Sequence, residues 1–224
     1  MGGLIPLGDA SRRPRSFAFV TTAIIALNVY VFFKELVYGD AYVYAWSAVP
    51  YRVMHGHHWI TLLTSMFMHA GWMHIIGNMI YLWAFGREIE DAMGHIGFLI
   101  FYLAGGVFAM FAQILGDPAS RIPSLGASGA IAAVMGAFLI TFPRDRIRAI
   151  FFFLIFVRIT LIPAALLIGF WFLMQVVNLG QVAHVKTGGV AYLAHVAGFL
   201  FGVVAARLFV DPRNLALRRS PFDE

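Results

Sequence analysis

The sequence predicts an all-α polytopic membrane protein, a bundle of six transmembrane helices, and three observations lead there. Of 224 residues, 61% are hydrophobic and only 12% are charged, whereas about a quarter of a soluble domain is charged. Apolar stretches recur from Phe17 to Val210, so the first of them does not read as a lone removable leader. Arginines cluster between the stretches, and ten of them fall on one side once six crossings are counted. A mean hydropathy of +0.81 agrees with lipid as the solvent.

A lipid-crossing helix needs about 20 mostly apolar residues, because its backbone polar groups must be bonded within the segment. That rule places spans near 17–37, 74–88, 96–115, 126–142, 160–178 and 190–210, the second and fourth being short. The stretch 150–178 is too long for one untilted helix and too short for two. Arg158 and Pro163 interrupt it, and a proline removes one helical backbone bond. Residues 150–158 therefore read as a short interfacial or re-entrant piece leading into the fifth span. The expected organisation is an N-terminal tail over 1–16, one helical domain over 17–210, and a loosely held C-terminal tail over 211–224.

Lys and Arg accumulate on the cytoplasmic side of a membrane. Arg12, Arg13 and Arg15 precede the first span, Arg87 follows the second, Arg144, Arg146 and Arg148 follow the fourth, and Arg213, Arg218 and Arg219 follow the sixth. The other side holds Lys34, Arg52, Arg121 and Lys186. Both termini are then cytoplasmic, in a layout without extra domains that suggests a prokaryotic inner membrane. Loops 38–73, 116–125 and 179–189 are external. Tyr42, Tyr44, Trp46, Tyr51, Trp59 and Trp72 suggest that the long first loop lies in the lipid headgroup region.

Composition also excludes chemistry. There is no cysteine, hence no disulfide, thiolate nucleophile or thiolate metal site. The basic balance is a topology signal between apolar segments, and a nucleic-acid partner would need a clustered basic face on a soluble domain.

The polar residues worth attention sit at one depth. His74 and Asn78 begin the second span, Ser128 the fourth, and His195 lies near the start of the sixth. Polar groups in lipid are costly unless they pair or line a wet cavity, so four from three helices point to a site. Ser128 stands in Gly126-Ala127-Ser128-Gly129, where glycines allow close approach and a helix start offers free N–H groups to a developing oxyanion. Alone, this pattern more often marks helix packing than chemistry. His195 is followed by Gly198 and Gly202, and the fourth span carries Gly129, Ala133 and Ala137. These small residues let two parallel helices pack closely, bringing Ser128 a base to activate its weakly nucleophilic hydroxyl. No acidic residue is at hand to orient the imidazole, so a dyad rather than a triad is expected. His74 and Asn78 share a helix face and, with the Ser128 N–H, would stabilise the oxyanion.

These residues resemble the rhomboid intramembrane proteases from about Trp59 to Gly202. The resemblance rests on His69-Ala70-Gly71-Trp72-Met73-His74-Ile75-Ile76-Gly77-Asn78, Gly126-Ala127-Ser128-Gly129 and Ala194-His195-Val196-Ala197-Gly198. It implies Ser128 as nucleophile, His195 as general base, and His74 and Asn78 as oxyanion partners. It further implies cleavage of single-span membrane proteins in or near the lipid bilayer, with no cofactor and no metal. Two features depart from the family. Ala132 stands where some relatives stack a tyrosine on the histidine, so other contacts, neighbouring aromatics among them, must orient His195. Ile60 follows Trp59 where many relatives have arginine.

Three other readings compete. His55, His57, His58, His69 and His74 suggest a metal, but the His-Glu-x-x-His spacing is absent. A transporter would show buried acids or an inverted repeat. A catalytically inactive rhomboid-like protein that binds or escorts membrane clients would be expected to lack Ser128 or His195. His95 and His184 read as solvated loop residues, and Gly188 and Gly189 as hinges of a loop covering the site.

Overall fold

The computed structural model describes residues 2–11, 14–153, 156–182 and 191–216. The chain is a predominantly helical, polytopic membrane protein. Among the described residues, four helices are long and apolar enough to cross a bilayer: α1 (Phe19–Trp46), α6 (His95–Gly116), α8 (Ala164–Val182) and α9 (Tyr192–Phe209). The two short expected spans are helical as well. The fourth is α7 (Ser128–Thr141). The second winds continuously from α4 (Trp72–Tyr81) through a π-helical stretch, Leu82–Gly86, into α5 (Arg87–Met93), and so runs several residues past 88.

The first external loop is more helical than its sequence suggests. α1 continues to Trp46 across a break at Gly39, whose φ of 68° is left-handed, a conformation glycine adopts without a Cβ clash. The short helices α2 (Pro50–Met54) and α3 (Thr61–Thr64) follow. Arg52 stacks on the Tyr44 ring and Arg121 on Tyr51, while Ala48 and Ser124 exchange backbone bonds that tie this loop to the segment before α7.

The expected re-entrant piece at 150–158 is instead part of a sheet, and the fifth helix starts at Ala164 rather than 160. Strands β1 (Gly2–Asp9), β2 (Arg146–Phe153) and β3 (Phe156–Pro163) pair antiparallel in that order. The apolar run misled because hydrophobicity alone does not separate a strand from a buried helix. Its β-branched and aromatic content (Ile147, Ile150, Phe151, Val157, Ile159, Thr160) favours the pleated surface. Pairing also gives the N-terminal segment, expected as a tail, a structured role. The start of the C-terminal tail is likewise held: the Asp211 N–H bonds the Ala92 carbonyl ahead of α10 (Pro212–Ala216).

The same end of the bundle carries a carboxylate-rich seal. The first free N–H groups of α1, on Val20 and Thr21, donate to the Glu90 carboxylate of α5 at 2.9 and 2.7 Å. His95 is no free loop residue; its Nδ1 lies 2.6 Å from Glu90. His184, Gly188 and Gly189 lie outside the described residues.

The core is centred on α7, whose residues from Gly129 to Phe138 are all buried. A Cβ on Gly198 would run into the Gly129 carbonyl, and one on Gly202 into the Ala133 carbonyl. Equal steps of four along both helices mean that α7 and α9 are parallel and almost in backbone contact, as the small residues predict. Ala137 is buried in the same stripe.

Candidate active site

Parallel packing of α7 and α9 places their first turns side by side. Ser128 is the first residue of α7 and His195 lies in the first turn of α9. The His195 Nε2 is 2.8 Å from the Ser128 Oγ. His195 is buried, and its helix start is anchored where the Ala194 N–H donates to Gln113 Oε1 of α6 at 3.1 Å.

His74 approaches from α4. Its Nδ1 accepts from the Ala70 N–H at 3.3 Å, so the neutral ring carries its proton on Nε2. That nitrogen faces Gly126: a Cβ there would lie 2.9 Å from it and 3.6 Å from the Ser128 Oγ. His74 and the serine hydroxyl thus flank one point, kept open because position 126 has no side chain. Gly126 also has φ of 129°, and its N–H is fixed by the Ser65 carbonyl at 2.8 Å. One turn beyond His74, Asn78 is buried, and its Nδ2 makes no hydrogen bond among the described residues. A helix start leaves the Ser128 N–H without an intrahelical acceptor. Of the four residues singled out from sequence, His74, Ser128 and His195 gather around the start of α7, with Ser128 and His195 in direct contact, and Asn78 lies one turn further along α4.

Several neighbours were not evident from sequence. Gln175 of α8 accepts from the His195 Nδ1 side at 2.8 Å, and Trp171 and Tyr192 set their rings 5.7 and 6.2 Å from the imidazole. These contacts stand where Ala132 supplies nothing. The one signal in the chain was a glutamine within an apolar span; which way it faces depends on how α8 docks. Glu35, a buried acid of α1, binds the His69 N–H through both oxygens at 2.9 and 3.2 Å. It fixes the approach to His74 and does not serve His195. The His69 ring packs edge-on to His74 at 5.1 Å, whereas His55 binds the Tyr51 carbonyl at 2.7 Å.

The family model of the Rhomboid domain matches residues 56–212, well over half of the chain. The chain belongs to the rhomboid family. It is 32% identical to Rhomboid protein 1, mitochondrial, of Saccharomyces cerevisiae over 151 residues, covering 65% of this chain and 40% of that protein. It is 33% identical to the rhomboid protease GluP of Bacillus subtilis over 123 residues, covering 53% and 24%. Over 92 residues it is 38% identical to the human presenilin-associated rhomboid-like protein, mitochondrial, covering 40% and 24%. This rhomboid thus aligns with less than half the length of these relatives.

Proposed function

We propose that this rhomboid is an intramembrane serine endopeptidase that hydrolyses peptide bonds in or near the transmembrane segments of single-span membrane proteins. The observation that carries the reading is the 2.8 Å contact between Ser128 Oγ and His195 Nε2. In the first step the Ser128 Oγ attacks the scissile carbonyl carbon while its proton passes to His195 Nε2. The oxyanion develops beside the Ser128 N–H and the His74 Nε2–H, with the Asn78 amide as a further donor. Collapse breaks the C–N bond, and His195 returns the proton to the leaving amine, giving an acyl-enzyme on Ser128. Water, deprotonated by His195, hydrolyses that ester and restores the serine. No step calls on a metal or cofactor.

The side bearing the arginine clusters and both described ends faces the cytoplasm or its organellar counterpart. The relatives named as mitochondrial run against the expected prokaryotic inner membrane, and what they share with the Bacillus subtilis relative is the family rather than the compartment.

The test is covalent labelling of the purified protein by a serine-reactive fluorophosphonate, together with cleavage of a model membrane substrate in detergent. Labelling and cleavage are expected in the wild type and lost in Ser128→Ala and in His195→Ala, with melting near normal, and a chelator should change nothing. A wild type that neither labels nor cleaves would leave a client-binding, inactive rhomboid-like protein.

A further inference from the structure

The side of His195 turned away from Ser128 is where an uncharged residue replaces the acid that a triad would use. Along α8, Ala164, Ile168 and Gln175 are buried, and Trp171 and Phe172 half-buried, while Leu166, Phe170, Leu173, Val176 and Val177 are exposed. The inward stripe is apolar except at Gln175. A buried amide in such a stripe is costly unless its groups are bonded, and both of them are.

The two bonds fix each other's direction. Gln175 Nε2 donates to the Trp171 carbonyl, one turn back, at 3.0 Å. A carbonyl only accepts, so the amide nitrogen must stand there, and the amide oxygen must face His195 Nδ1 at 2.8 Å. An amide oxygen cannot donate, so Nδ1 carries the hydrogen. In a neutral imidazole the remaining nitrogen, Nε2, then holds a free lone pair, and it is this nitrogen that meets the Ser128 hydroxyl at 2.8 Å.

We infer that Gln175 is the positioning residue of the site: clamped by the Trp171 carbonyl, its amide oxygen holds His195 in the tautomer that can take the Ser128 proton. The inference rests on the protease reading of Ser128 and His195. An amide in the third position is chemically sufficient, as in the Cys-His-Asn arrangement. It aligns the ring and solvates the imidazolium N–H with a dipole, without burying a second charge in the membrane. Because Gln175 belongs to α8 while Ser128 and His195 belong to α7 and α9, the docking of α8 on α9 becomes part of the proton-transfer geometry.

Two measurements test this. The first is the 15N NMR spectrum of the His195 ring in detergent, assigned by comparison with His195→Ala. Wild type should show Nδ1 protonated and Nε2 bare, and Gln175→Met should lose that pattern; an Nε2–H tautomer in the wild type overturns the inference whatever any variant does. The second is the kinetics of Gln175→Met, which keeps the side-chain length. Turnover should fall about a hundredfold, the loss typical of a misplaced catalytic group, with KM and melting temperature close to wild type. Turnover within twofold of wild type overturns the inference. If the wild type has the Nδ1–H tautomer yet neither labels nor cleaves, the protease reading fails while the placement of Gln175 stands.

Discussion

At the scale of single residues, Asn78 separates two roles that are easily confused. An asparagine that ties membrane helices together spends its amide on a neighbour, whereas the Asn78 Nδ2 is buried without an acceptor among the described residues. A donor held ready for an oxyanion would look like this in the resting enzyme. We expect Asn78→Ala to lower kcat by about a hundredfold or more while KM and the melting temperature change little, as judged by steady-state cleavage and thermal unfolding in detergent. A large drop in melting temperature would mark a helix-bridging asparagine instead. Gly126 works at the same scale. Its left-handed φ and the His74 ring beside it leave no place for a side chain, so its contribution to the site is the absence of a Cβ.

At the scale of elements, the seam between α7 and α9 sets the distance between Ser128 and His195, the proposed nucleophile and base. Gly202 sits against the Ala133 carbonyl, and neither helix backbone can yield cheaply. Gly202→Ala should cost about 1–3 kcal/mol from overpacking and, by prising the helices apart, should remove turnover more completely than it removes folding. Gly169 of α8, with nothing within 4 Å of its missing Cβ, is the control: Gly169→Ala should be neutral or stabilising by up to about 1 kcal/mol. Thermal unfolding and cleavage of the two variants side by side check this. Equal behaviour would mean that the seam is not under steric control. The opposite end of α1 is governed differently, since its N-terminal N–H groups are satisfied by Glu90 of α5 rather than by a local cap.

At the scale of the whole molecule, β1 carries the N-terminal segment to the end of the bundle remote from Ser128, where Asp9 meets Asp145 and Glu88. Burial first, then a hydrogen bond shared with Asp145, pushes the Asp9 carboxyl up to about 8 from 3.8. The native protein therefore holds a proton that the unfolded chain releases near 3.8, and stability must fall as pH rises between these values, with no further loss from this group above about 8. The melting temperature in detergent should decline across that window and then level off. Asp9→Asn, neutral at every pH, should flatten the slope; an unchanged slope would place the dependence elsewhere.

Much of the site was legible in the sequence because polar residues in lipid stand out. His74, Asn78, Ser128 and His195 could be found as rare polar groups at one depth, and the small residues of 129–137 and 198–202 already implied two parallel helices in close contact. The three-stranded sheet was not legible. Its strands read as apolar stretches and an arginine-rich tail, and their pairing joins residues 2–9 to 146–153, a separation that no local pattern encodes. Gln175 illustrates the same limit inside the site. The sequence by itself determined which side chains could do chemistry and on which helices they lie, since transfer to lipid penalises every polar group regardless of fold. Only the tertiary structure decided which of them touch, because a hydrogen bond depends on the rotation of α8 about its own axis, and that rotation is set by packing against α9.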